Sequence, residues 1–277
     1  RCLCEGATRL ARAGALPLPP FTQTWIDALM ADLAEPIAQY QALLTAYSRC
    51  CPAENVWLLN PPNCPLINPP NPPLLKGGFS SPPFEKGAPT SPPFAKGGAG
   101  GIYALNDTLN DIRTNADGQR ILLQLQASRL YSGKTMKWTH LVRVWPLHLA
   151  AQFGGATVTR ILGPKTDFIL DPLPAETARA HLLALLDGYQ QGMSQPLPLA
   201  CDTGFAALAA QTGRGLDPAK IYEGDDFNPS KPGDCASHPG YRRFWPTYPQ
   251  LAADQRFSLL IAQLYQPLFD HVYCSAL

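Results

Sequence analysis

The stretch Leu105-Asn-Asp-Thr-Leu-Asn-Asp-Ile-Arg-Thr-Asn-Ala-Asp-Gly-Gln-Arg-Ile-Leu-Leu-Gln-Leu-Gln126 decides how this chain folds. Leu105, Asp107, Leu109, Asp111 and Arg113 set up a two-residue period, which returns over Ile121, Leu123 and Leu125. That period belongs to strands, whose side chains point alternately to opposite faces. Between the runs lies Asn115-Ala116-Asp117-Gly118, where glycine supplies the positive φ that a tight turn demands. The spacing predicts a β-hairpin.

On either side of it the period becomes helical. Trp25, Ile26, Leu29 and Leu33 recur at three- to four-residue steps behind Thr22 or Thr24, and Ile37, Tyr40, Leu44 and Tyr47 continue beyond Pro36. After the hairpin, Lys134 to Phe153 reads as a helix with Leu141, Val144, Leu147 and Ala151 on one face and Pro146 as a kink. Thr157 to Leu162 and Thr166 to Leu170 read as paired strands around Gly163-Pro164. Glu176 to Gln191 is predicted as a helix with Ala180, Leu183, Leu186 or Asp187, and Gln190 in line, stopped by Gly192. Leu251 to His271 is predicted as one long helix aligning Phe257, Leu260, Leu264 and Leu268. Short strands flanked by helices give an α/β or α+β class.

Composition limits the functions available. Of 277 residues, 45% are apolar, enough for a core, and 22 Lys and Arg face 21 Asp and Glu. A balance of +1 excludes a globally basic nucleic-acid binder, so any charged surface is local. No run approaches the roughly 18 apolar residues of a membrane helix, and no signal-peptide pattern opens the chain, which favours the cytoplasm. A chain beginning at Arg1 reads as a fragment of a longer one or as a mis-called start. The eight cysteines (Cys2, Cys4, Cys50, Cys51, Cys64, Cys201, Cys235 and Cys274) are irregularly spaced and read as free thiols. Zinc is disfavoured, because neither Cys2-x-Cys4 nor Cys50-Cys51 has the spacing two thiolates need on one tetrahedral ion.

The thirty prolines are unevenly spread, twelve of them between Asn60 and Gly101. There Pro-Pro-Leu-Leu-Lys-Gly (72–77), Pro-Pro-Phe-Glu-Lys-Gly (82–87) and Pro-Pro-Phe-Ala-Lys-Gly (92–97) repeat at a ten-residue step. Pro-Pro excludes helix interiors and central strands, and three short copies cannot form a solenoid. The segment is read as a disordered low-complexity insert, with an SH3-type ligand as the alternative. It carries three lysines and one glutamate, so the remainder is essentially neutral.

Four stretches, in this order, resemble one family. They are Gly14-Ala-Leu-Pro17 with the helix after it, Asn110 to Arg143 followed by Val-Trp145-Pro-Leu-His148-Leu149, Leu185 to Leu199 with its Pro-Leu-Pro-Leu ending, and Tyr241-Arg-Arg-Phe-Trp-Pro246. Their order and spacing resemble the C-terminal domain of the RecC family, the gamma subunit of exodeoxyribonuclease V. The likeness covers most of the chain outside the insert.

The resemblance implies a PD-(D/E)xK restriction-endonuclease-like core, catalytically degenerate, with flanking helices. On that reading 1–277 is one domain of a longer chain: 1–59 an N-terminal helical part, 60–101 the insert, and 102–277 the nuclease-like core with C-terminal helices. Active relatives need two carboxylates for Mg²⁺ and a lysine for the attacking water. Here those positions fall on Asn110 (or Asp111 after a one-residue slip), Gln124 and Gln126, so catalytic residues are expected to be absent and no metal is expected. A residual Mg²⁺ nuclease using Asp107, Asp111 and Lys134 is the weaker alternative.

The implied role is a non-catalytic subunit that scaffolds RecB-like and RecD-like partners and guides unwound DNA in double-strand break repair and homologous recombination. ATP and Mg²⁺ are then expected on the partners, since this chain has no phosphate-binding loop; Gly213-Arg214-Gly215 lacks the lysine and the length. An orphan interaction domain or pseudogene product is the alternative. The DNA-contact candidates are Arg129, Lys134, Lys137 and Arg143, cations interleaved with Tyr131 and Trp138 as suits a single strand. In the competing reading Trp138 and Trp145 are core. Tyr241, Arg242, Arg243 and Trp245 are candidates for partner contact. His140 and His148 are expected to be structural, and Ser128, Ser132 and Ser194 lack a nucleophile elbow.

Overall fold

The turn residues Asn115 and Gly118 close the expected hairpin. The Asn115 side chain accepts from the Gln119 amide at 2.8 Å and Gly118 adopts φ +78°, so β4 (Ile112–Thr114) returns antiparallel as β5 (Arg120–Leu125) with Ile112 opposite Leu122. This is a computed structural model, and it describes residues 9, 21–59, 104–132, 135–213, 217–224 and 232–276. The repeat insert, Gly14 to Pro17, Arg214 and Lys134 lie outside the described residues.

The first run does not continue into the hairpin as one strand. Asp111 takes φ +66°, a left-handed conformation that costs a non-glycine residue energy, and it breaks the run in two. Before the break, β3 (Ala104–Leu109) pairs antiparallel with β2 (Glu54–Leu59), from Glu54 opposite Leu109 to Leu59 opposite Ala104. After it, β4 pairs with both β5 and β1 (Arg49–Cys50). The N-terminal part expected to be helical therefore also supplies strands to both ladders. Their alternation was missed because Glu54 to Leu59 is only six residues long.

The main sheet runs β1-β4-β5-β8-β9-β10, with β8 (Thr157–Gly163), β9 (Thr166–Leu170) and β10 (Val272–Ala276). Only β5 and β8 are parallel; the crossover between them is α2 (Trp138–Ala151). The β8–β9 pair matches expectation and turns through Lys165 at φ +68°. A small ribbon of β6 (Tyr131–Ser132) and β7 (Thr135–Met136) occupies the first residues assigned to the helix, so α2 begins at Trp138.

Both faces of β5 are covered, Ile121 and Leu123 on one and Leu122 on the other. The helix α1 (Phe21–Ala46) contacts β5 and β8, as does α2. His148 of α2 bonds Thr159 of β8, at 2.9 Å, which sets α2 on the Leu122 face and leaves Ile121, Leu123 and Leu162 beneath α1. The larger core lies on the α2 side and joins the C-terminal helices. In α2 the buried stripe is Leu141, Trp145, His148 and Leu149, while Leu147, placed inward by the sequence, is 37% exposed. Pro146 sits inside α2, and Pro36 inside α1, without ending either helix.

The remaining helices are α3 (Ala175–Ser194), α4 (Cys201–Gln211), α5 (Pro218–Glu223), α6 (Asp234–Ser237), α7 (Pro239–Phe244), α8 (Tyr248–Ala253), α9 (Gln255–Leu260) and α10 (Gln266–His271), with a π turn (Ile261–Tyr265) before α10. Gly192 lies within α3 rather than stopping it; the stop comes at Gln195, which is forced extended ahead of Pro196. The buried face of α3 is Ala178, Leu182, Leu186 and Gly188, rotated from the expected one. The expected final helix is interrupted at Asp254, whose carboxylate caps α9 by accepting from the Arg256 amide at 3.0 Å. Phe257, Leu260, Leu264 and Leu268 are all buried, as their spacing predicts.

Two polar clusters lock the layers together. Gln152, only 2% exposed, donates to the carbonyls of His148 (3.0 Å) and Thr157 (2.8 Å), and its Oε1 accepts from the Thr157 amide at 3.1 Å. Arg120 pairs with Glu54 of the β2–β3 ribbon at 2.7 Å and donates to Thr157 Oγ1 at 2.9 Å. That pair lies against Gly154, where a Cβ would sit 2.0 Å from Glu54 Oε2. Buried polar groups held in this way fix the register of what they join.

Candidate nucleic-acid interface

The β4–β5 register, run back past Ile112, would set Asn110 opposite Gln124. The break at Asp111 ends the ladder before that pair forms, and Asn110 and Asp111 are exposed. Gln124 and Gln126 are half-buried and share a face with Leu122, the face that α2 covers. An amide oxygen is neutral and binds a hard divalent cation more weakly than a carboxylate does. Among the described residues, no group of three or more His, Cys, Asp or Glu side chains is arranged to hold a metal ion. Asp107 accepts from the Thr108 amide at 2.7 Å on the β3 ribbon, across the break from the hairpin. These donors do not fit a two-carboxylate Mg²⁺ site.

What stands at the end of β5 is a hydrogen-bonded chain. Gln126 Nε2 donates to Ser128 Oγ at 2.8 Å, and Ser128 Oγ lies 3.1 Å from His140 Nε2 on the first turn of α2. Lys137, His140 and Arg143 follow at three-residue steps along that helix, and Arg143 is exposed. Burial, with the charges of Lys137 and then Arg143, lowers the pKa of His140. Sequence reading treated Ser128 and His140 separately; the Gln-x-Ser step off the strand end was the available signal.

The aromatics among these cations are engaged elsewhere. Trp138 stacks on Phe205 with centroids 3.9 Å apart, Tyr131 stacks on Phe168 at 5.7 Å, and Trp145 is 2% exposed. Trp138 and Trp145, the two rings of the competing reading, are thus packed within the fold, and Tyr131 is packed there as well. Arg129 is exposed but pairs with Asp32 of α1 at 3.1 Å, tying that helix to the loop after β5.

The motif at 241–245 divides in two. Tyr241 donates to the Leu199 carbonyl at 2.9 Å, and Trp245, 7% exposed, donates from its indole to Asp254 at 3.2 Å while its carbonyl accepts from Tyr222. Both were expected at a partner surface; Tyr241 is half-buried and Trp245, just past the end of α7, is buried, so each side chain is engaged within the fold. Arg242, Arg243 and Phe244 face outward, with the Arg243 guanidinium 5.9 Å from the Phe244 ring.

A carboxylate pair lies nearby. Asp234 Oδ2 accepts from the Thr203 amide (2.9 Å) and hydroxyl (2.8 Å), capping α4 from α6, which compensates for Ala200 at the cap position. Asp202 Oδ1 is buried without a hydrogen-bond partner. Burial, then the charge of Asp234, pushes its pKa up to about 6, against an opposing pull from His238. The native state therefore holds this proton more tightly than the unfolded chain does, and stability falls as pH rises from about 4 through 6. Asp202→Asn is expected to raise the urea midpoint at pH 7.5 and to match wild type near pH 4.

Cys50, Cys51, Cys201 and Cys235 are free thiols, and no described helix is long and apolar enough to cross a membrane. Against known families, the model of the RecC C-terminal domain matches residues 92–212. Over those residues the chain is similar to a RecC C-terminal domain. That RecC match takes in the β4–β5 hairpin, the crossover to β8, and α3 and α4. The helices from α5 onward, with Tyr241 to Pro246, lie beyond it. No curated protein matches the chain.

Proposed function

We propose that this chain works as a non-catalytic RecC-type element of a RecBCD-type helicase–nuclease in DNA repair and recombination. The RecC match over residues 92–212 supports a RecC-type role in an assembly that acts on DNA. The observation that carries the inert reading is the pair of amides, Gln124 and Gln126, where a PD-(D/E)xK nuclease needs an acid and a lysine. A strand pair followed by a crossover helix to a parallel strand is consistent with such a core. On this reading Lys137, Arg143 and Lys134 meet DNA phosphates, while ATP and Mg²⁺ serve RecB-like and RecD-like partners in the cytoplasm.

The test is reconstitution with the RecB and RecD homologues of the same cell. The chain is expected to co-purify with them and, alone with Mg²⁺ and linear DNA, to release no nucleotides; digestion by the chain alone would sink the inert reading. In the assembly, replacing Lys134, Lys137 and Arg143 together by alanine is expected to weaken single-strand binding. The salt slope should then fall by about 2, at roughly 0.7 for each phosphate that is no longer neutralised. An unchanged slope would remove these residues from the interface.

A second reading draws on Arg242, Arg243 and Phe244. Arginine and aromatic side chains exposed together are characteristic of protein interfaces. They make α7 the face that would meet a partner subunit, and loss of co-purification on their replacement would place it there.

A further inference from the structure

We propose that Gln126, Ser128 and His140, flanked by Lys137 and Arg143, form an anion site that takes one phosphodiester of a DNA strand. This deepens the DNA-contact reading above and rests on it. The argument comes from the protons. The Ser128 hydroxyl accepts from the Gln126 amide and has a single proton to give. If that proton goes to His140 Nε2, the ring carries its own on Nδ1; if Nε2–H donates to Ser128 instead, the hydroxyl proton is left over. In either tautomer one donor is left over that no hydrogen bond within the chain uses, on Nδ1 in the first case and on the Ser128 hydroxyl in the second. No carboxylate takes part in it.

A chain with a donor to spare, on the flank of two cations, presents the opposite polarity to a metal cradle: it suits an acceptor carrying negative charge. A phosphodiester supplies that charge with oxygens in tetrahedral array, so one can meet the Ser128–His140 donor while its neighbours face the ammonium of Lys137 and the guanidinium of Arg143. The site lies where β5 hands over to α2 and begins at Gln126, the position that the resemblance sets against a nuclease's lysine. The amides that make it unsuitable for Mg²⁺ leave it without the negative charge that would repel phosphate.

The test uses the full chain, with a labelled oligo-dT strand in one arm and inorganic phosphate in the other. Nitrogen-15 histidine spectra are expected to show the His140 ring moving first as phosphate is added. Ser128→Ala and His140→Gln are each expected to lower oligo-dT affinity about tenfold, the size of a hydrogen bond to a charged group. Their thermal unfolding should match wild type; if a variant unfolds early, the wild-type His140 spectrum decides alone. Full affinity in both variants, with loss confined to Lys137→Ala and Arg143→Ala, would overturn this site and leave the general DNA reading standing. Absence of oligo-dT binding by wild type would overturn both. Manganese broadening His140 ahead of other histidines would show a cation site and also overturn it.

Discussion

Gly233→Ala is expected to destabilise the chain by about 3 kcal/mol or more and to lower the thermal midpoint by about 10 °C. A Cβ at this position would lie 2.3 Å from the Tyr222 carbonyl oxygen, 2.4 Å from the Gly224 nitrogen and 2.6 Å from the Glu223 carbonyl carbon. All three are backbone atoms at the end of α5, so no side chain can swing aside. Relief requires moving Gly233 itself, and the next residue is Asp234, the cap of α4. Steric strain thus becomes loss of a cap. Gly240, in α7, is the internal control: nothing lies within 4 Å of its virtual Cβ. Gly240→Ala is expected to be neutral or stabilising by about 0.5–1 kcal/mol, since glycine is a poor helix residue. Parallel urea melts of the two variants make the comparison, and equal midpoints would contradict the packing described around Gly233.

The second large effect is acid sensitivity at His148. This side chain is fully buried, stacks on Trp145 at 5.4 Å and lies 2.9 Å from Thr159 Oγ1. Burial, then the nearby His271, pushes its pKa down to about 4, partly offset by the backbone of Asp171. A base that protonates less readily in the native state than in the unfolded chain stabilises the fold above the unfolded pKa, near 6.5. That stability drains away as pH falls toward 4. The shift corresponds to about 3 kcal/mol. Asp202 acts with the opposite sign over an overlapping range, so the decisive quantity is the difference between wild type and His148→Gln at each pH. The variant is expected to lose less stability than wild type between pH 6.5 and 4. Parallel curves would show that His148 carries no such penalty.

Hairpin, strand pair and C-terminal apolar stripe were readable because each is local. Asp117-Gly118 encodes its own turn, and Phe257, Leu260, Leu264 and Leu268 need only helical spacing to share a face. Contacts between distant segments were not readable. Nothing in Leu105 to Leu109 announces a partner at Glu54 to Leu59, some fifty residues earlier, and nothing predicts that Asp111 turns left-handed between them. The buried faces of α2 and α3 came out rotated because several registers of a mostly apolar helix satisfy the same spacing, and packing chooses among them. At the candidate site the amides were visible in the sequence. The chain from Gln126 through Ser128 to His140 was not, since it needs the helix to fold back over the strand end.

The β2–β3 ribbon has a further consequence for how this gene can vary. Because Leu59 and Ala104 sit side by side, whatever sequence joins them departs and rejoins at a single point, already fastened by six paired residues and the Glu54–Arg120 clasp. Lengthening such a closed gap adds only a logarithmic entropic cost, about 0.6 kcal/mol per doubling. The ribbon thereby insulates the main sheet: a change in the number of residues between Leu59 and Ala104 leaves its register where it is.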